Sequence, residues 1–410
     1  MSHSIAMPVQ EPAPVPARAG ARRLLVLFVT AFVDMIGVAM IVPLLPYYAE
    51  AYGASALTVG LVISSFSLAQ LAVAPLWGRW SDRHGRRPAI VAGLGITAAG
   101  YALFAGAASI PLLLLARVVQ GIGGGTIGVV QAYVADSTPA DRRTRSLGWL
   151  SAVTSLGAVV GPALGSTLVA AGGRAMPGIT AAVLALGVAA LGWRHLAEPP
   201  QPDHRTAEHG AVARPAIGVV VRHWREPAAR LIWLYAIGIG AFYGVIPLVP
   251  LVLHDRLGIT AETIGPFFMY LGAMGVLMRA VALGRLVERF GEPVLVRGGM
   301  VALGVGLALV GLGEELLPIA VGFTLMPIGT ACLFPAVTAL LSGAVSRGER
   351  GVYLGVQQAF GGVTRVAFPL LAGAAMDGIG IGTPLVVAGV LVVAALPLTA
   401  GFAAAGQKPA

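Results

Sequence analysis

The sequence predicts an all-α membrane protein with twelve transmembrane helices in two parallel repeats of six. Three observations support this. Hydrophobic residues make up 57% of the chain and the mean hydropathy is +0.84, so polar residues are too few to cover a surface that faces water. The apolar residues form stretches of about 20, which is the length that crosses a ~30 Å hydrocarbon core as a helix. Motifs and prolines recur in the two halves of the chain.

The hydropathy pattern places the spans in order along the chain. They are expected at residues 24–49, 57–77, 89–107, 110–135, 146–171, 177–194, 229–253, 262–283, 294–312, 315–341, 351–375 and 384–402. A polar, proline-rich stretch separates the sixth span from the seventh. The predicted organisation is a tail, a six-helix half, a cytoplasmic loop, a second six-helix half and a second tail, at residues 1–23, 24–194, 195–228, 229–402 and 403–410.

Basic residues predict the orientation. Among the 27 Lys and Arg residues, only Arg174 and Arg256 lie in connections on one side, while Arg117, Arg279 and Arg365 lie within spans. The rest lie in the tails, in the opposite connections or at their edges, which places both termini in the cytoplasm. The net charge of +9 is thus explained by topology and by anionic lipid headgroups, and nucleic acid is not an expected partner. The near-exclusive use of arginine over lysine is typical of a GC-rich genome, so a bacterial plasma membrane is expected.

The two halves match at an offset near 207 residues. Pro43 aligns with Pro250, and Pro162 aligns with Pro369. The charged turn GRWSDRHGRRP also has a weaker copy, GRLVERFGEP, about 206 residues later. Because each half holds an even number of helices, the two repeats share one orientation and are related by an axis along the membrane normal.

Four segments resemble motifs of the major facilitator superfamily, and the resemblance covers nearly the whole chain. GRWSDRHGRRP is similar to the family's cytoplasmic loop motif, with Trp80 in place of leucine. LLLARVVQGIGGG in span 4 is similar to L-x-x-x-R-x-x-Q-G-x-G. GAVVGPALGS in span 5 is similar to the antiporter motif, with Ser166 in place of its last glycine. DMIGVAMIVPLLP in span 1 resembles the twelve-helix drug/proton antiporter branch, which includes tetracycline efflux pumps.

The resemblance implies a conformational latch at the charged turn. Its residues are Gly78, Asp82, Arg83, Gly85, Arg86 and Asp136. The two glycines are expected to let the loop turn tightly. Asp82 would face the amino terminus of span 11, and Arg83 or Arg86 would pair with Asp136. Such contacts would close the cytoplasmic side in one conformer and break in the other. The alternative is that the arginines only set topology, but this explains neither the glycine spacing nor Asp82.

Ionisable residues inside the spans point to function because burying a charge is costly. Asp34 lies about ten residues into span 1, at a depth of ~15 Å and near the midplane. Arg117 in span 4 lies at a similar depth. We expect Asp34, with Arg117 nearby, to bind and release a proton during the transport cycle. The alternative is a purely structural buried pair. Arg279 is expected to reach the membrane surface from the end of span 8 and is given no function.

Glycines in spans 4 and 5 indicate close helix packing. GIGGGTIG contains G-x-G-x-x-G, but it lies inside a span and follows no strand, so a dinucleotide site is rejected in favour of packing by small residues. For span 5, the resemblance implies a helix that seals against leak, through Gly157, Gly161, Pro162 and Gly165. The candidate residues that line the substrate cavity are Gln120, Gln131, Tyr243, Gln357 and Arg365.

Residues and resemblance together predict proton-coupled export of a small, amphipathic or drug-like compound by alternating access. The alternatives are a transporter of a dedicated metabolite or lipid without proton coupling, and a non-transporting receptor. An enzyme is not expected, because no nucleotide-binding loop or H-E-x-x-H motif occurs and the seven histidines lie in tails, loops or their edges. With a lone Cys332, no metal site and no cofactor are expected. The expected partners are the substrate, protons and membrane lipids, and the expected state is a monomer.

Overall fold

The computed structural model describes residues 17–139, 142–198, 217–218, 220–346 and 348–402. The predicted carboxy-terminal tail therefore lies outside the described residues, as do most of the amino-terminal tail and most of the loop between the halves.

Twelve apolar helical segments follow one another along the described part of the chain, as predicted. They are α1 (Leu24–Glu50), α2 (Ala56–His84), α3 (Arg86–Ala105), α4 (Ile110–Asp136), α5 (Arg143–Gly172), α6 (Ala175–His195), α7 (Pro227–Leu257), α8 (Gly265–Phe290), α9 (Glu292–Leu312), α10 (Leu316–Ala344), α11 (Arg350–Gly378) and α12 (Thr383–Thr399). The first eleven are long and apolar enough to cross a membrane, and α12 is shorter. No strand occurs among the described residues.

The charged turn is tighter than the sequence predicted. Helix α2 continues through Gly78 to His84, and α3 starts at Arg86. The turn is therefore made by Gly85 alone, whose φ of 103° is a conformation that side-chain-bearing residues rarely adopt. The prediction that Gly78 helps the chain to turn was wrong. Nothing between Gly78 and His84 breaks a helix, so the helix extends past its apolar stretch.

The repeat is visible in how the helices break. Helices α2 and α3 meet at Gly85, and α8 and α9 meet at Gly291, where φ is again positive at 74°. Helix α1 contains a 3₁₀ turn at Val42–Leu44 and α7 contains one at Ile246–Leu248, each with a proline as its second residue. The residue of α7 that takes the place of Pro43 is therefore Pro247 and not the predicted Pro250. The offset between α1 and α7 is 204 residues and not 207.

Small residues bring the helices into backbone contact. In α4, a Cβ atom on Gly121 would lie against Phe66 of α2, and one on Gly123 would meet Gly93 and Thr97 of α3. This confirms the packing prediction for GIGGG. The same glycine-rich stretch interrupts α4, which ends one helical run at Gly124 and begins the next at Ile127.

Candidate functional site

Asp34 lies on the wall of a cavity in the first six helices. The cavity has a volume of about 670 Å³ and lies between α1, α3, α4 and α5. Its polar lining includes Thr30, Gln131, Ser151 and Thr154, and it extends to Leu147 near the charged-turn end of the bundle. Within the described part of the chain, Asp34 is half-buried and makes no side-chain hydrogen bond or ion pair.

Arg117 forms no ion pair with Asp34 in the described structure, so the structure does not support the alternative of a structural buried pair. It is buried, donates to Oε1 of Gln120 at 2.7 Å, and its guanidinium lies 4.4 Å from the ring centre of Phe66. Gln120 in turn donates to the carbonyl of Gly100 at 3.1 Å. Arg117 is therefore turned toward α2 and α3. Gln120 is its buried partner, so the prediction that Gln120 lines a cavity was wrong.

Of the remaining residues that were predicted to line a cavity, some do so and others are packed between helices. Gln131 lines the cavity of Asp34, and Tyr243 lines a second cavity between the two halves. Gln357 is wholly buried in α11 and accepts from the hydroxyl of Thr338 at 3.4 Å. It packs between helices and lines neither cavity, contrary to prediction. Arg365 is half-buried and donates to the carbonyl of Gly361 in its own helix at 3.3 Å.

The second cavity lies between α1 and α5 of the first half and α7, α8 and α10 of the second. Its volume is about 360 Å³, and Met35, Thr154 and Ser155 line both cavities, so the two adjoin. Arg279 also lines the second cavity. The sequence prediction ended span 8 at residue 283, whereas α8 continues to Phe290. Arg279 therefore lies near the middle of α8, five residues before the charged segment that starts at Gly284. That its side chain reaches the membrane surface stays a prediction.

Arg86 is the centre of an ion-pair cluster at the charged turn. It contacts Asp82 at 2.7 Å and Asp136 at 3.3 Å, and it donates to the hydroxyl of Ser81 at 2.7 Å. The predicted Arg86–Asp136 pair therefore exists, whereas Arg83 is exposed to solvent. These contacts join the start of α3 to the ends of α2 and α4, all within one half of the protein. Closing the cytoplasmic side through Asp82 and α11 stays a prediction for another conformer.

Glu198 completes this turn and was missed by the sequence analysis. Its carboxylate accepts hydrogen bonds from the backbone N–H groups of Arg86 and Arg87, the latter at 3.1 Å. These are free donors at the amino terminus of α3, where negative charge is favoured. A Cβ atom on Gly85 would lie 2.7 Å from the carboxyl carbon of Glu198. The glycine therefore allows the carboxylate to approach the helix.

The opposite end of the bundle is held closed by contacts between the two halves. Asp377, near the end of α11, accepts hydrogen bonds from the backbone N–H groups of Ala56 at 2.9 Å and Leu57 at 3.0 Å, at the start of α2. Farther along the same helix pair, Ser64 donates to the carbonyl of Val366 at 2.7 Å. The hydroxyl of Tyr47 in α1 donates to the carbonyl of Ile259 after α7 at 3.0 Å.

Helix α5 contacts both α1 and the other half of the protein. Gly157, Gly161 and Gly165 all face α1, where Cβ atoms on them would lie 2.5–2.9 Å from backbone oxygens. On its other side, the hydroxyl of Ser166 accepts a hydrogen bond from the backbone N–H of Gly265 in α8 at 2.8 Å. Ser166 departs from the antiporter motif and supplies this contact between halves.

Comparison with known proteins gives one consistent family. The family model described as Major Facilitator Superfamily matches residues 27–313 and, in a second match, residues 280–409. Tetracycline resistance protein, class C, of Escherichia coli is 30% identical over 361 residues, which cover 85% of this chain and 88% of the relative. Multidrug resistance protein 1 of Bacillus subtilis (strain 168) is 27% identical over 357 residues, which cover 86% and 90%.

A solved structure shares the fold. The inward-facing, occupied bacterial homolog of the human lysosomal transporter Spinster aligns with a TM-score of 0.77 at 18% identity, over 94% of this chain and 97% of that chain. Family match, relatives and fold agree with the apolar helices and with the cavities between them. The chain belongs to the Major Facilitator Superfamily, as a multi-pass membrane transporter that is similar to the tetracycline and multidrug resistance proteins of that family.

Proposed function

We propose that this transporter exports a small, amphipathic or drug-like compound in exchange for protons. The observation that supports proton coupling is Asp34, a half-buried carboxylate that has no hydrogen-bond or ion-pair partner among the described residues. It lies on the wall of a cavity that extends to the charged-turn end. Tetracycline and multidrug resistance are the activities in the names of its relatives. We therefore propose that compounds of this kind are the cargo that this chain exports.

The positive-inside rule assigns the charged-turn end to the cytoplasm. The conformer is then closed toward the outside, through Asp377 and Tyr47, and Asp34 faces a cavity on the cytoplasmic side. The proton affinity of a carboxylate depends on the water and the charges around it. Closing this cavity and opening the other side changes those surroundings. Asp34 can therefore bind a proton in one conformer and release it in the other.

Helix α5 is the proposed mechanical link between the proton site and the other half of the transporter. Its glycines contact the backbone of α1, the helix that carries Asp34, at Phe32, Ile36 and Met40. Its other side contacts α8 through Ser166 and Gly265. Because packed helices move as rigid elements between discrete arrangements, a shift of α1 that accompanies protonation is transmitted to the interface between the halves.

The first prediction tests Asp34 in everted membrane vesicles with an acidified lumen. Asp34→Asn keeps the shape of the side chain and removes its titration. We expect tetracycline uptake driven by the pH gradient to fall at least tenfold, to the level of vesicles without the transporter. Tetracycline should still raise the melting temperature of the purified variant, because the Asp34 carboxylate lines the neighbouring cavity and not the one between the halves.

The matched control is Asp255→Asn, which neutralises an exposed aspartate at the end of α7. This variant should transport at the wild-type rate. If the Asp34→Asn protein accumulates tetracycline as fast as the wild type, Asp34 has no part in coupling. If wild-type uptake is unaffected when the gradient is collapsed, the transporter is not a proton antiporter.

A further inference from the structure

The cavity between the two halves is lined mainly by apolar residues and by a positively charged side chain. Residues of α1 and α5 form one side, and aromatic residues of α7 and α8, including Phe242, Tyr243 and Phe268, form the other. Among the described residues that line it, Arg279 is the only charged one. Asp34 lines the neighbouring cavity instead. An occupant of the cavity between the halves therefore meets aromatic surface and a single positive charge.

Arg279 has no partner of its own in the described structure. Its side chain is exposed to the cavity and forms no hydrogen bond or ion pair there. It lies within the apolar stretch of α8, five residues or about 8 Å before the charged segment that starts at Gly284, at 1.5 Å per residue. A guanidinium at that depth of a membrane helix is costly unless water or a counter-charge compensates it. The cavity is where such a counter-charge can bind.

Two π-helical turns carry side chains that line this cavity. Helix α8 contains a π turn at Met278–Ala282, which includes Arg279, and α7 contains one at Gly240–Gly244, which includes Tyr243. Both side chains line the cavity between the halves. Such turns are rare, and inside α-helices they occur frequently at functional sites. Helices α7 and α8 therefore depart from regular α-helical geometry at Tyr243 and Arg279, whose side chains line the same cavity.

We propose that Arg279 binds an anionic group of the cargo in the cavity between the halves. The proposal rests on the proposed export function and specifies its substrate class, an amphipathic organic anion with an aromatic body. The guanidinium presents a planar set of donors that matches a carboxylate in two parallel hydrogen bonds. Tyr243 and the neighbouring phenylalanines supply ring faces for the apolar body.

A set of three probes with one ring system tests the charge preference. Binding of 2-naphthoate, 2-naphthamide and 2-naphthylmethylammonium to the purified full-length transporter is measured by isothermal titration calorimetry. The wild type should bind the carboxylate at least ten times more tightly than the amide or the ammonium compound. Arg279→Gln should remove this preference. Arg279→Lys should retain part of it, because lysine keeps the charge and loses the planar donor geometry.

Arg222→Gln is the matched control, because it removes an exposed arginine that lies outside the cavity. It should bind all three probes as the wild type does. The proposal is overturned if Arg279→Gln or Arg279→Lys keeps the full wild-type preference for naphthoate over the other two probes, while Arg222→Gln binds as the wild type does. It is also overturned if the wild type binds naphthoate no more tightly than the amide, or binds none of the three.

The Asp34→Asn variant separates this proposal from the export function. If Asp34→Asn abolishes uptake driven by the pH gradient while naphthoate shows no preference, proton-coupled export stands and the cargo charge is wrong. If the ammonium probe binds most tightly and loses affinity in Asp34→Asn, the cargo is cationic and is recognised by the carboxylate. If naphthoate preference depends on Arg279 but uptake is independent of the gradient, the binding site stands and proton coupling fails.

Discussion

At the scale of single residues, Gly85 has two roles that local sequence shows only in part. Its φ of 103° makes the turn between α2 and α3. Its missing side chain also leaves room for the carboxylate of Glu198, which caps α3 from more than one hundred residues away. The turn follows from the amino-acid type. The cap depends on how α6 packs beside α3, so no local pattern predicts it.

Gly85→Ala should therefore destabilise the protein. The alanine would be strained at a positive φ and would displace Glu198 from the first donors of α3, with an expected loss of ~1–3 kcal/mol in the free energy of unfolding. Thermal unfolding of the purified variant measures this as a melting temperature several degrees below that of the wild type.

Gly78→Ala is the matched comparison. Gly78 lies inside α2 and a Cβ atom there would meet nothing within 4 Å. Alanine at that position should keep or slightly raise the melting temperature, because it has the higher helix propensity. Equal losses in the two variants would show that both glycines are needed for the turn.

At the scale of elements, α5 depends on three glycines spaced four residues apart. This spacing places Gly157, Gly161 and Gly165 on one face, which lies against the backbone of α1. A Cβ atom on Gly161 would already lie 2.8 Å from the Cβ of Ala39 and 2.9 Å from the carbonyl oxygen of Ile36. Helices that approach this closely leave no room for a larger side chain.

Gly161→Leu should abolish drug uptake in everted vesicles, because leucine would force α5 away from α1. The variant should still insert into the membrane and elute as a single species in size-exclusion chromatography. Gly148→Leu, in the same helix, is the control, because its Cβ atom would meet nothing within 4 Å. Near-normal uptake by the Gly161 variant would mean that close contact between α1 and α5 is not required for transport.

At the scale of the whole molecule, the two ends of the bundle are held by different kinds of contact. At the charged turn, Arg86 joins Asp82 and Asp136, all within the first half. At the opposite end, Asp377 of the second half accepts from two N–H groups of the first half. The hydrogen bonds of Asp377 therefore stabilise one arrangement of the halves, while the ion pairs of Arg86 can persist in either.

Asp377→Asn should shift the protein toward the conformer that is open at this end. An amide has one oxygen where the carboxylate has two and carries no negative charge for the helix terminus, so the cap is weakened by ~1 kcal/mol. That change raises the population of the other conformer several-fold. Distances between spin labels on Ala51→Cys and Ile379→Cys, in a Cys332→Ala background, should show a larger long-distance fraction.

Glu262→Gln, which neutralises an exposed residue of the loop between α7 and α8, is the control for charge alone. Its distance distribution should match that of the wild type. An unchanged distribution in Asp377→Asn as well would show that this cap does not hold the end closed.

The sequence by itself determined the membrane class, the twelve helices and the repeat, because hydropathy and turn-forming glycines act over short distances along the chain. The family resemblance implied that Arg83 or Arg86 pairs with Asp136, and Arg86 is the residue that does. Helix lengths were less accurate. Apolar stretches mark the predicted membrane-embedded part, whereas α2 and α8 continue as helices beyond it.

Only the tertiary structure decided which side chains face a cavity. Gln120 and Gln357 are as polar as Gln131, yet two of them are buried between helices and one lines a cavity. Asp34 and Arg117 lie at comparable depth in neighbouring helices, yet Arg117 donates a hydrogen bond to Gln120, whereas Asp34 has no hydrogen-bond or ion-pair partner among the described residues. The direction of a side chain depends on how each helix is rotated against its neighbours. That rotation is set by close contacts of glycines and prolines from distant parts of the chain, which no local pattern records.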